Sequence, residues 1–189
     1  MRNDEWTVAL DGWRSWLIAA HRASGTIYQH LYRVGRLERQ YAGRSPWSLT
    51  TDDIIAHLRE GDLSASTQRA RRTSIRGFYA WAVATGRLTR DPSALLPAVH
   101  APLGKPRPAP DEAVEAARFA ADVRVRVMVQ LGARAGLRCC EICRVHVRDV
   151  EADMLGWSLR VLGKGGRTRV VPLPDDLAHL IVREADASG

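Results

Sequence analysis

Between Ala101 and Pro110 the chain carries four prolines in ten residues, at 102, 106, 108 and 110. Proline locks φ and offers no backbone N–H, so neither a helix nor a central strand runs through such a stretch; an extended, semi-rigid spacer results. The stretch divides the sequence into residues 1–97, a linker over 98–110, and a second region over 111–189. With 46% hydrophobic residues in 189, both flanks can bury a core. No run approaches the ~18 consecutive apolar residues of a membrane span, and Met1-Arg2-Asn3-Asp4-Glu5-Trp6 lacks the apolar stretch of a secretory leader. The expectation is a cytoplasmic protein with no membrane partner.

The first region reads as helices. Trp6, Leu10, Trp13 and Leu17 recur at helical spacing and put one apolar face on a helix from about Asp4 to Arg22. Ser24 is expected to cap a second helix with Ile27, Leu31, Val34 and Tyr41 inward and Gln29, Arg33 and Arg36 on other faces. Thr51 opens a third, ended near Gly61. A fourth follows Ser64-Ala65-Ser66-Thr67 and runs through Ile75, Phe78, Tyr79, Ala82 and Val83 to Gly86. From Leu63 to Arg90 there are six arginines (69, 71, 72, 76, 87 and 90) and no acid, within a chain of net charge +7. A basic stripe at the start of a helix, where amide donors and the macrodipole already favour anions, suits a phosphate backbone. A short helical turn is expected from Asp91-Pro92 through Leu96.

The second region has a different grammar. Asp111-Glu112 starts an amphipathic helix through Val114, Ala117 and Phe119, and a more apolar one, Val123 to Ala135, is expected to be buried until Gly136 breaks it. A short helix covers about Cys139 to Val145. Residues 157–162 and 168–173 alternate sides around Gly163-Lys164-Gly165-Gly166-Arg167, a hairpin signal, and a last helix is capped by Asp175. The fold class is thus mainly α: an N-terminal helical bundle linked to a mixed α+β region with a β-hairpin. The three cysteines, 139, 140 and 143, suit a reducing compartment. Cys140, Cys143 and His146 could supply three metal ligands, but no other cluster completes a tetrahedral set, so no metal is expected and the thiols should be buried.

Gly136-Leu137-Arg138-Cys139-Cys140-Glu141-Ile142 resembles the Gly-Leu-Arg-x-x-Glu box of the tyrosine recombinases, the phage integrase and XerC/XerD-like family. Gly163-Lys164-Gly165-Gly166-Arg167-Thr168-Arg169-Val170-Val171-Pro172-Leu173 looks like that family's hairpin motif, in order and at ordinary spacing. Lys164 stands out because only it and Lys105 are lysines among 28 basic residues. An ammonium can release a proton where a guanidinium cannot, which is a chemical reason for lysine at a general-acid position.

The resemblance implies an N-terminal core-binding domain of the SAM-like helical type that clamps duplex DNA, joined to part of a catalytic domain. It implies cleavage through a 3′-phosphotyrosine with no cofactor, Arg138 meeting phosphorane charge, Lys164 protonating the leaving oxygen, and Glu141 orienting Arg138, although Glu141 could equally pair with Arg144. The family's second arginine, its His or Trp and its nucleophilic tyrosine are expected beyond Gly189, so these residues should bind DNA without cutting it. Tyrosines stand only at 28, 32, 41 and 79, where packing or phosphate contact is the expected role. DNA contacts are expected from Gln29, Arg33, Thr67, Arg69, Arg71, Arg72 and Arg76. The implied partners are a recombination site and, for a full-length protein, a homotetramer on DNA, with a nucleoid-associated location; an accessory or inhibitor occupying recombination sites is the alternative.

Overall fold

The structure, a computed structural model, describes residues 4–102, 104–120, 122–154 and 156–188. It divides into two compact units, Met1–Lys105 and Pro106–Gly189.

Unit 1 holds α1 (Asp4–Ala19), α2 (Ser24–Gln40), α3 (Thr51–Arg59) and α4 (Ala65–Ala84). The first helix stops before Arg22 because His21 takes a left-handed backbone (φ 50). Its amide donates to Ile18 O and that of Arg22 to Leu17 O, a closure normally built on glycine. Ser24 is the first helical residue of α2, not its cap; Ala23 holds that position without a side-chain bond. Local chemistry sets the other ends. Thr50 and Asp53 cap α3 reciprocally, and Ser64 Oγ accepts from the Thr67 amide to start α4. Gly86 (φ 74) ends α4, with Arg87 N donating to Ala82 O. The stretch from Asp91 to Leu96 makes turns rather than a helix, Asp91 Oδ1 accepting from the Ser93 amide at 2.7 Å.

The core of unit 1 is organised around one ring. Phe78 is fully buried, with Trp6, Trp13, Trp47, Tyr79 and Trp81 at centroid distances of 6.1, 5.4, 5.8, 5.1 and 5.7 Å. Aromatic pairs in such arrangements add about 0.5–1.5 kcal/mol each beyond area burial. Val34, Leu37, Ile54 and Ile75 complete the packing. The helices α2 and α4 pack on each other, with His30 Nδ1 2.9 Å from Ser74 Oγ.

Unit 2 holds α5 (Asp111–Ala120), α6 (Val123–Ala133), α7 (Cys139–Ile142), a sheet of β1 (Val150–Asp153), β2 (Gly156–Leu162) and β3 (Thr168–Leu173), and α8 (Asp175–Ser188). The sheet is antiparallel in the order β1-β2-β3, with Val161 opposite Arg169 and Leu162 opposite Thr168. Alternation buries Leu159 and Val161 and turns Arg160 and Leu162 outward. A core of Leu131, Leu137, Leu159, Val161, Leu173, Leu177 and Ile181 lies where α6 and α8 meet the sheet. The expected burial of α6 is not found: only Gln130 and Leu131 are buried, Arg124 and Arg126 interrupt its valines, and Arg124 and Val125 are exposed. Phe119 of α5 is likewise exposed, with the Arg118 guanidinium 5.0 Å from its ring centroid. Among the described residues no helix is long and apolar enough to cross a membrane.

Candidate active site and nucleic-acid interface

The chemistry of unit 2 gathers on Glu141. Its side chain is 3% exposed, yet both carboxylate oxygens are fully engaged. Oε1 accepts from Arg138 Nη1 at 3.0 Å and Arg169 Nη1 at 2.8 Å. Oε2 accepts from the Arg138 amide and from Arg169 Nη2, both at 2.9 Å. One carboxylate thus caps the four-residue α7, anchors Arg138 and receives a two-pronged guanidinium from β3. The Arg169 fork first, and the Arg138 amide next, hold the Glu141 carboxyl at about 2, well below its ordinary 4.5, against the opposing effect of burial. The sequence leaves Arg144 open as the partner; Arg138 and Arg169 take that place.

Arg138 remains mostly exposed, 71% by side chain, with one of its nitrogens tied to Glu141. A guanidinium fixed at one end and open at the other can present donors to a phosphate. Beside it the β2–β3 turn is closed by Gly163 N donating to Arg167 O at 2.8 Å. Gly165 and Gly166 both take φ 76, which side-chain-bearing residues rarely adopt, so this tight turn depends on them. Lys164 opens the turn in its backbone; its side chain lies outside what the structure describes. A cleft lined in part by Glu141 also has Arg144, Arg148, Asp149 and Arg160 on its wall, Arg160 being paired with Glu151.

The three cysteines are exposed rather than buried, since α7 is a single turn whose inward positions go to Glu141 and, in part, Ile142. Among the described residues no group of three or more His, Cys, Asp or Glu is arranged to hold a metal.

In unit 1, Thr67, Arg69 and Arg76 are exposed on α4, and Gln29 is exposed and Arg33 half-buried on α2. Arg72 is half-buried, its Nη2 donating to Leu96 O at 2.8 Å, so part of its fork is committed within the protein. Arg71 departs from the expectation: it is buried at 6% exposure, on the same helical face as Ser74, Ile75, Phe78 and Ala82. Its Nη1 has no hydrogen-bond partner among the described residues. Of the residues expected at DNA, Thr67, Arg69, Arg76 and Gln29 are thus exposed and Arg72 and Arg33 half-buried, with Arg36 exposed on α2. Tyr28 and Tyr32 are exposed and stacked on each other at 6.3 Å. Tyr41 and Tyr79 instead donate their hydroxyls to Asp53 O and Pro46 O.

The phage integrase family matches residues 110–188, the segment that holds both motifs. The tyrosine recombinase XerC of Xanthomonas campestris pv. campestris (strain B100) is 35% identical over 142 residues, 72% of this chain and 43% of that protein. The XerD of Ralstonia nicotianae (strain ATCC BAA-1114 / GMI1000) is 36% identical over 142 residues, 69% and 46% of the two chains. The chain belongs to the tyrosine recombinase family. It spans less than half the length of these curated relatives. A lambda integrase (75-356) dimer bound to a COC′ core site has the same fold with a TM-score of 0.72 at 20% identity, over 96% of this chain and 68% of that one. A lambda integrase tetramer bound to a Holliday junction is similar with a TM-score of 0.72 at 20% identity, over 96% and 55%. Within this family, Arg169 is the site residue that sequence reasoning missed. It was present as the second arginine of the hairpin motif, but its partner emerges only when β3 and α7 fold together.

Proposed function

We propose that this tyrosine recombinase chain binds duplex DNA at a recombination site, unit 1 gripping the phosphate backbone and unit 2 presenting Arg138 and Lys164 to the scissile phosphate. In this reading residues 1–97 are a core-binding domain, 98–110 a linker and 111–189 part of a catalytic domain. The observation that carries it is the convergence of the two family motifs on Glu141, which holds the box that contains Arg138 against the hairpin whose turn contains Lys164. The basic, acid-free stretch from 63 to 90 supports the DNA-binding half. Strand cleavage through a phosphotyrosine, and a tetramer on DNA, belong to a protein that brings a nucleophile to this site. The tyrosines at hand are all in unit 1, where two are hydrogen-bonded within the fold.

A second reading is an accessory protein that occupies recombination sites without cutting. Fluorescence anisotropy of the 189-residue chain on duplex DNA, repeated across salt concentrations, tests the shared part: binding that weakens steeply with salt is expected, and salt-insensitive or absent binding would refute it. Lys164→Ala should leave that affinity almost intact. A nicked recombination-site substrate separates the two readings, since only the enzymatic one yields a covalent adduct once a nucleophile is supplied.

A further inference from the structure

We infer that Arg169 is a positioning residue, which ties the turn bearing Lys164 to the helix that Arg138 precedes and so sets the spacing of the two groups offered to a phosphate. The inference rests on the phosphate-site reading proposed above. Arg169 gives the Nη1–Nη2 edge of its guanidinium to Glu141, and its side chain is 39% exposed. Arg138, by contrast, keeps most of its guanidinium in solvent. The two arginines therefore have different work although they share one carboxylate.

The turn itself is packed on this pair. A Cβ built on Gly163 would stand 3.3 Å from Arg167 O, 3.4 Å from Arg169 Nη1 and 3.7 Å from Glu141 Oε1. Glycine lets the backbone immediately before Lys164 lie against the ion pair, so the turn inherits the pair's position. A carboxylate with two fixed oxygens and a planar fork have one favourable coplanar arrangement, which restrains both distance and rotation. Lysine at 169 would supply charge but a single rotating donor group, and would not restrain orientation.

The test uses the intact chain. Arg138 Nε–H is followed by NMR during titration with inorganic phosphate, and amide hydrogen exchange is read at 163–167. Arg169→Gln is expected to weaken phosphate binding about tenfold, the scale of one displaced charge-assisted hydrogen bond, and to speed exchange in the turn. Arg169→Lys should recover little of either. Arg134→Gln, which breaks the 2.6 Å pair with Asp176 elsewhere in unit 2, serves as a variant with a purely structural loss and should leave Arg138 affinity unchanged. An Arg169→Gln chain that binds phosphate and exchanges like wild type overturns the inference, as does full recovery by lysine. A wild-type chain with no phosphate-dependent shift at Arg138 overturns the phosphate-site reading, and this role with it.

Discussion

Acid should loosen unit 1 through His57. This imidazole is fully buried, with Nδ1 facing Gln40 Oε1 and the Glu60 carboxylate 3.9 Å away. Gln40 Oε1 can only accept, so the ring proton sits on Nδ1 and Nε2 is the site left to protonate. Nε2 is buried and has no partner among the described residues, so the added N–H would find no acceptor there. Burial first, then the positive charges of Arg71 and Arg36, push the His57 pKa down from 6.5 to about 4. The sign follows: the unfolded chain takes up the proton at about 6.5 and the folded chain only at about 4, so stability falls as pH drops through that window. With those two values, about 2 kcal/mol of stability is lost between pH 7 and pH 5, and about 3 kcal/mol once both states are protonated. His30, also lowered by burial and then by Arg33 and Arg22, adds in the same direction. Urea unfolding at the two pH values, followed by tryptophan fluorescence, reads the change directly, because five of the six tryptophans lie in unit 1. His57→Gln, which has no proton to take, should flatten most of the dependence. A urea midpoint that stays constant or rises from pH 7 to pH 5, or an unchanged dependence in His57→Gln, would refute the reasoning.

Phe78→Ala removes the ring at the centre of five aromatic neighbours and should cost about 3–5 kcal/mol, seen as loss or a large fall of the unit 1 thermal transition in circular dichroism. Gly163→Ala forces a methyl to 3.3 Å from a carbonyl oxygen and should cost about 1–3 kcal/mol, measured by denaturation monitored at Trp157. Arg69→Ala and Arg76→Ala should each lower the slope of log affinity against log salt by about 1 on duplex DNA, whatever the sequence, because each removes one exposed cation. Arg71→Met should raise the urea midpoint of unit 1 while changing DNA affinity little, since it replaces a buried cation whose Nη1 lacks a hydrogen-bond partner by an apolar chain of similar length.

Features decided within a few residues were readable in the sequence. Ser64 and Gly86 bracket α4 because a hydroxyl cap and a left-handed stop act locally, and the β2–β3 hairpin follows from alternation around its glycines. What depends on distant partners was not readable. The strand β1 is four mostly exposed residues, Val150–Asp153, and exists because β2 supplies its hydrogen bonds. Helical arithmetic separates Arg71 from the stripe of 69, 72 and 76, but only packing decides that the separate face is the inward one. The cysteines look like core residues by type, whereas the competition for the interior at α7 was won by a carboxylate. That outcome needed two arginines to neutralise it, and one of them stands 28 residues further along the chain.

Glu141 also sets how this site can vary. Glutamine keeps the length but offers one acceptor oxygen where two are in use, so either the helix cap or one arginine is abandoned. Aspartate keeps both oxygens but is one methylene short of spanning the cap and the Arg169 fork together. Alanine leaves two guanidiniums side by side with nothing between them. Each replacement fails a different duty, and no neighbouring single change repairs all three. Position 141 should therefore tolerate far fewer residues in a saturation library than Arg138, which sits at the surface and touches the fold through one carboxylate.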